Sequence, residues 1–435
     1  MRNFFLTTFG KTISFISKRV NLGSGSTWPG HIALLYNPRF IKDMLQNSRT
    51  QIILIAGTNG KTTTGKILTT ILEKNKKKVF QNNSGANLLS GIASTMLLHT
   101  NIQNKLTADY AVFEVDENNL PLVLQQLTPK AIILLDLFRD QLDRYGELDS
   151  IAKKWEVAFK NLPQSTNLIL NADDPLIAYL STNTKATVTF FGLDAQKEEG
   201  QRLQHAADSL YCPRCGTKLH FSKIFYAHLG IWKCPHCKLE RPKPHVAQSF
   251  YPLDGTYNKY NTLAAVTAAE ALGIDKEHIQ SSLKQVTAAF GRQEKIIVTG
   301  KHVQLFLAKN PTSFNESLRT IQKKQAKHVV FLLNDRIPDG TDISWIWDID
   351  FEEYAQSFSQ ITISGDRTYD MALRILYAEK GASKNMAKKC EIEPNLSLAL
   401  QKALTNLPAS EILYILPTYS AMLEVRKILT GRKIL

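Results

Sequence analysis

The run Gly57-Thr58-Asn59-Gly60-Lys61-Thr62-Thr63 places two glycines, a lysine and several hydroxyls where a chain of phosphates could be held. Such a loop turns backbone N–H groups, and the positive end of the helix that follows it, toward an anion. Lys61 would reach the β- and γ-phosphates of ATP, and the Thr62 hydroxyl would hold Mg²⁺. The general phosphate-loop pattern wants glycine five residues before Gly60, but Ile55 stands there, so this is a compact variant. A carboxylate facing Thr62 is expected at Glu114, inside the apolar run Tyr110-Ala111-Val112-Phe113-Glu114-Val115. Glu117, beyond that run, reads as a surface loop charge.

A second constellation is Cys212-Pro213-Arg214-Cys215, eighteen residues, then Cys234-Pro235-His236-Cys237. Paired CxxC turns at that separation predict one tetrahedral Zn²⁺ site, closed to substrate and therefore structural. Tyr211, Arg214, Phe225, Tyr226 and Trp232 lie close by, to pack a small core or to stack on bases. Cys390 stands alone in Lys389-Cys390-Glu391 without the elbow of a nucleophile, and reads as incidental.

These groups need a scaffold. Ile52–Ala56 is a short, wholly apolar run, as in a parallel strand buried on both faces, and an amphipathic helix carrying Ile67, Leu68, Ile71 and Leu72 follows. Strand-like runs recur at 109–117, 131–137 and 167–171, each ending in polar residues, which predicts a doubly wound parallel sheet binding ligands at its strand ends. The cysteine segment at about 205–245 interrupts this pattern as an insertion. Asn258 and Asn261, opening an alanine-rich helix, share one face and carry groups suited to adenine. A second α/β series starts near residue 295, with strands expected at 303–308, 328–333, 360–364 and 411–416 and helices at 369–380 and 396–407.

The 435 residues suggest about three domains, and 43% hydrophobic with 21% charged residues describes an ordinary globular chain. The net charge of +14 favours anionic partners, whether nucleotides, phosphorylated substrates or a membrane face. The basic residues form no concentrated stripe, so nucleic acid is not expected. Residues 1–20 mix apolar and basic side chains as an amphipathic helix would, and no run is long enough to span a bilayer. A cytoplasmic protein, able to sit at the inner membrane face, is expected.

The phosphate loop, the Asn258/Asn261 pair and Phe290-Gly291-Arg292-Gln293-Glu294 together resemble the Mur ligase family over roughly residues 45–435. The resemblance implies an N-terminal helical segment (1–45), a central ATP-binding domain (46–293) with the zinc-ribbon insertion (205–245) inside it, and a C-terminal Rossmann-like domain (294–435). Only about 45 residues precede the first strand, too few for the family's usual domain for a UDP-sugar substrate. That feature, the ribbon and the segments 309–315, 339–352 and 364–371 resemble the branch forming the synthetase half of lipid II isoglutaminyl synthase. By that resemblance, ATP activates the α-carboxylate of D-glutamate in lipid II as an acyl phosphate and ammonia completes the amide. Lys61 and Glu114 would act in catalysis; Gly57, Thr58, Asn59, Gly60, Lys61, Thr62, Thr63, Asn258, Asn261 and Arg292 would bind nucleotide. Ammonia would come from a glutamine amidotransferase subunit, GatD, to whose Cys-His pair Asp348, or else Asp350, lends a carboxylate. Lys153 and Lys154 fall near a lysine that many family members carbamylate, but read as solvent-facing and are left out of the site. The competing expectation is a Mur-like amino-acid or folylpolyglutamate-type ligase.

Overall fold

The computed structural model describes residues 6–8, 10–12, 27–46, 48–82, 85–101, 103–139, 148–194, 196, 198, 200, 202–205, 207–245, 250–288, 291–378 and 389–431. Most of residues 1–20, residues 140–147 and Phe290 lie outside them.

The first sheet has six parallel strands: β1 (Gln51–Ala56), β2 (Val79–Gln81), β3 (Tyr110–Glu114), β4 (Ala131–Leu134), β5 (Asn167–Asn171) and β6 (Thr187–Phe191), in the order β2-β3-β1-β4-β5-β6. The chain reverses direction across the sheet on either side of β1, so the loops after β1, β3 and β4 open on one crevice. Ile52 to Ala56 are buried, as a strand covered by helices on both faces requires. One cover is the helix Lys61–Lys74, whose Ile67, Leu68, Ile71 and Leu72 are fully buried against Ile53, Ile55 and the helix Thr256–Ala271. β4 stops three residues earlier than the apolar run suggests, because Leu135, Asp136 and Leu137 already turn under the phosphate loop.

The hairpin β7 (His220–Tyr226) and β8 (Leu229–Lys233) lies between the two halves of the cysteine cluster, Cys212 and Cys215 before it and Cys234 and Cys237 after it, and is the ribbon seen in the sequence. It is fastened to the first sheet. Trp232 is buried and donates its indole N–H to the Ala172 carbonyl (3.0 Å). Asp173, at the end of β5, accepts from Arg241 Nε (2.6 Å) and from the Tyr260 hydroxyl (2.7 Å).

The second sheet runs β13 (Cys390–Ile392), β12 (Gln360–Ser364), β11 (His328–Leu332), β14 (Ile412–Pro417), β10 (Lys301–Phe306), β9 (Arg292–Val298). All neighbours are parallel except β9, which pairs antiparallel with β10. The edge strands β9 and β13, and β2 and β6 of the first sheet, were not anticipated from sequence, nor were the helices Pro311–Lys323 and Tyr419–Thr430. Ahead of β1, the helix Trp28–Tyr36 packs on Leu89–Leu98, where Gly30 N–H reaches Ser94 Oγ (2.6 Å) and a side chain on Gly30 would strike the Ser90 carbonyl. Among the described residues, no helix is long and apolar enough to cross a membrane.

Candidate active site

The phosphate loop runs from the end of β1 into the helix beginning at Lys61, with Gly60 at φ +84°, a left-handed turn that glycine adopts without strain. A Cβ on Gly60 would lie 2.0 Å from Asn261 Oδ1, so the second glycine is demanded by space as well as by conformation. The floor of the loop is the segment after β4. Thr58 N–H donates to the Asp136 carbonyl (3.0 Å) and Asn59 N–H to Asp136 Oδ1 (2.8 Å). Thr58 Oγ1 both donates to the Phe138 carbonyl (3.1 Å) and accepts from Phe138 N–H (3.0 Å).

Lys61 Nζ lies against the Gly57 carbonyl and 3.1 Å from Glu117 Oε1. Glu117 is therefore buried and paired with the loop lysine, contrary to its reading as a surface charge. Thr62 Oγ1 donates to Glu114 Oε2 at 2.8 Å, bringing together the hydroxyl and carboxylate expected to face one another. Glu114 is held from behind by Asn82, which exchanges two 2.9 Å hydrogen bonds with its backbone. Burial raises the Glu114 pKa, while Thr62, Arg292 and Lys61 oppose the rise. Arg292, half-buried at the start of β9, has its own pKa lowered by desolvation, countered first by Glu114. Asp136 departs further: burial and Asp174 push its carboxyl up to about 7 against the pull of Asn59 N–H, Lys61 and His228.

Asn258 and Asn261 do share one helix face, but they are buried and hydrogen-bonded. Asn261 Nδ2 donates to Asn258 Oδ1 (3.1 Å), Asn258 Nδ2 to the Asp254 carbonyl (2.6 Å), and Asn261 Oδ1 accepts from Thr64 Oγ1 (3.3 Å). Their visible work is to brace the phosphate loop and its helix. The C-terminal half contributes Asn310, which caps the helix Pro311–Lys323 by accepting from Ser313 N–H (2.9 Å) and donates to Asn59 Oδ1 (3.2 Å). Asn59 Nδ2, a donor on the loop itself, is buried without a partner among the described residues. That orphan, the crowded Gly60 and the Thr62–Glu114 oxygens fit a nucleotide with Mg²⁺, which prefers hard oxygen donors. Lys153 and Lys154 are exposed, with Lys154 donating to Asn118 Oδ1 (3.1 Å).

The four clustered sulfurs lie within 4.8 Å of one another, with Cys212–Cys237 and Cys215–Cys234 each at 3.5 Å. Sulfurs arranged tetrahedrally around zinc would sit about 3.8 Å apart, so the set fits one such ion.

Asp348 and Asp350 differ sharply. Asp350 is buried, takes His205 Nδ1 (2.6 Å) and Asn315 Nδ2 (2.8 Å), and has its pKa raised by that burial. Asp348 closes the short turn Ser344–Asp348 with its side chain 38% exposed, 3.4 Å from an Arg139 guanidinium nitrogen. Arg374, itself buried, supports this turn through the Ile346 and Ile349 carbonyls, an ion pair to Glu352 (2.8 Å) and the Trp347 ring.

Two sheets closing on a compact phosphate loop match solved structures of one class. A pseudomurein peptide ligase type C from Methanothermus fervidus aligns with 90% of this chain and 81% of its own length at TM-score 0.65 and 22% identity. MurF from Acinetobacter baumannii aligns with 94% and 79% at TM-score 0.64 and 19% identity. The Mur ligase middle-domain family model matches residues 55–269, and the fold is that of these ATP-dependent ligases. The MurT ligase C-terminal model matches residues 307–422. The MurT subunit of the glutamine-hydrolysing lipid II isoglutaminyl synthase of Streptococcus pneumoniae is 33% identical over 98% of this chain and 96% of its own length. The corresponding subunit from Staphylococcus aureus is 32% identical over 82% and 83%. The chain belongs to the MurT family of Mur ligases.

Proposed function

We propose that this chain is the synthetase subunit of a lipid II isoglutaminyl synthase and amidates the α-carboxylate of the stem-peptide D-glutamate. The carboxylate oxygen attacks the γ-phosphorus of ATP, ADP leaves, and an acyl phosphate forms. Ammonia then attacks the acyl carbon, inorganic phosphate leaves, and a proton is lost to give D-isoglutamine. A free carboxylate resists amines because its negative charge repels them and its leaving group is poor; phosphorylation removes both obstacles. Lys61 and Arg292 would balance charge on the transferring phosphoryl group. Mg²⁺, held by Thr62 and Glu114, would add to that neutralisation when bound.

The observation carrying this reading is a glycine loop on which Thr62 meets Glu114 and Lys61 meets Glu117, in a chain whose cysteines lie elsewhere. Four are clustered with sulfurs suited to one metal ion and Cys390 opens an edge strand, so a glutaminase nucleophile would come from another protein. We take that partner to be the GatD amidotransferase, with Asp348 orienting the imidazole of its Cys-His pair. Beside Asp348, the exposed Trp347, Tyr369, Leu373, Leu376 and Tyr377 form an apolar face suited to a protein partner. The ribbon zinc would be structural. Exposed Trp28, Leu35 and Tyr36, with the net charge of +14, suit work at an anionic membrane face where lipid II is presented.

The test is amidation of lipid II with ATP and Mg²⁺, supplying ammonium alone or glutamine plus the amidotransferase, read by product mass. Product from both nitrogen sources is expected. ATP hydrolysis without amide from either source would overturn the assignment.

A further inference from the structure

We propose that Arg139 is a positioning residue that couples the nucleotide site to the glutaminase site by holding Asp348. This rests on the role given to Asp348 above. Phe138 is clamped to the phosphate loop by the two-way exchange between its backbone and Thr58 Oγ1 (3.0 and 3.1 Å). Arg139 is the next residue, so displacement of the loop by a nucleotide reaches it through a single peptide link. Its side chain has a fixed direction. The backbone N–H donates to Asp208 Oδ2 (3.0 Å) and Nε donates to Oδ1 of the same buried carboxylate. The remaining guanidinium arm points across to the C-terminal half, 3.4 Å from Asp348 Oδ2.

Asp208 is itself anchored, its N–H donating to His228 Nδ1 (3.3 Å), and His228 packs on the Phe138 ring at 4.6 Å. Phosphate loop, Phe138, Arg139 and Asp208 thus form one block that, among the described residues, meets the Asp348 side chain through Arg139. The contact suits adjustment rather than scaffolding: both side chains are about two-fifths exposed, at 40% and 38%, and ion pairs so exposed add little to stability. With one oxygen of Asp348 held by Arg139, the other is left to face a partner imidazole. Ammonia released with no acyl phosphate waiting is lost, so a link from nucleotide site to glutaminase site has a chemical purpose.

The experiment uses the assembled heterodimer carrying Arg139→Ala, Arg139→Lys or Asp208→Asn. Ammonium-driven amidation, glutamine-driven amidation, and glutamine hydrolysis with and without ATP are measured. In Arg139→Ala, ammonium-driven amidation should stay at the wild-type level while glutamine-driven amidation falls roughly ten- to a hundredfold, the scale of a misplaced catalytic group. The loss should lie in kcat for glutamine hydrolysis rather than in its KM, and ATP should no longer change that rate. Arg139→Lys should recover part of the activity, and Asp208→Asn, which loosens the anchor without touching Asp348, should mimic the alanine variant. Wild-type glutamine-driven amidation in Arg139→Ala, or equal loss with both nitrogen sources, would overturn the coupling role. If the wild type amidates with neither source, the functional reading fails first and takes the coupling with it.

Discussion

Replacing Asp136 by asparagine should stabilise the protein above neutral pH and leave it nearly unchanged in acid. The carboxyl lies buried beneath the phosphate loop, and its pKa rises from the ordinary 3.8 to about 7, chiefly because burial penalises the ionised form. That is a shift of about three units, worth about 4 kcal/mol at roughly 1.4 kcal/mol per unit. The unfolded chain ionises this group near its ordinary pKa, the folded chain near 7. Between those values the unfolded state holds fewer protons, so stability falls as pH rises and the whole cost is present above the folded pKa. Asparagine cannot ionise. Its carbonyl can keep the 2.8 Å hydrogen bond from Asn59 N–H, and its NH₂ occupies the place of the acid O–H. Urea unfolding of both proteins across this range should give a difference near zero at about pH 4, growing to about 4 kcal/mol by about pH 8. Parallel stability curves would refute the burial of an ionisable Asp136, and a less stable variant throughout would show that the carboxylate is needed charged.

Lys61→Ala should reduce amidation with either nitrogen source by about a hundredfold or more while partner binding on a sizing column persists; retained amidation would remove Lys61 from the phosphate site. Gly60→Ala sets a Cβ 2.0 Å from Asn261 Oδ1 at a φ of +84°, so calorimetry should find nucleotide binding lost in a chain that still folds. If the four cysteines hold zinc, the purified protein should contain one equivalent of it, and Cys234→Ser or prolonged chelation should remove that zinc and open the β7–β8 hairpin to proteolysis, since metal binding supplies about 10 kcal/mol or more of folding energy in isolated zinc modules. Asp348→Asn should stop glutamine-driven but not ammonium-driven amidation; equal loss of both would take Asp348 out of the partner's site.

The phosphate loop was legible because everything it needs is contiguous: apolar strand, glycine turn and helix occupy residues 51–74. The Mur ligase fold and the ribbon were legible for related reasons, one from repeated strand-and-helix alternation, the other from ligand spacing. The floor of the site was not. Asp136 and Phe138 meet Thr58 and Asn59 only because β4 lies beside β1, and sheet order is not written in local pattern. Glu117 misled for a similar reason: polar neighbours in sequence suggest solvent, whereas its true neighbour is Lys61. Asn310-Pro311-Thr312-Ser313 did carry a readable signal, a capping box with proline in the first helical turn, and it marks the helix from which Asn310 reaches the phosphate loop. The short strands β2 and β13, of three residues each, offer too little periodicity to stand out from loop.

The pair Asp348 and Asp350 shows what the fold adds to spacing. Asp348 ends the turn Ser344–Asp348, whereas Asp350 stands at the start of the next helix, Phe351–Tyr354, so the bend at Ile349 sends the two carboxylates to different surroundings. Asp350 takes the inward side, where Asn315 exchanges hydrogen bonds with its carboxylate and backbone (2.8 and 2.9 Å) and His205 ties it to the ribbon entry. A buried carboxylate with both oxygens engaged fixes the turn and has nothing to offer a second protein without breaking those bonds. Asp348 is left outward, on a turn that Arg374 makes rigid and beside an apolar face. Rigidity matters here, because a carboxylate can orient another protein's imidazole only if its own position is set before the partner arrives.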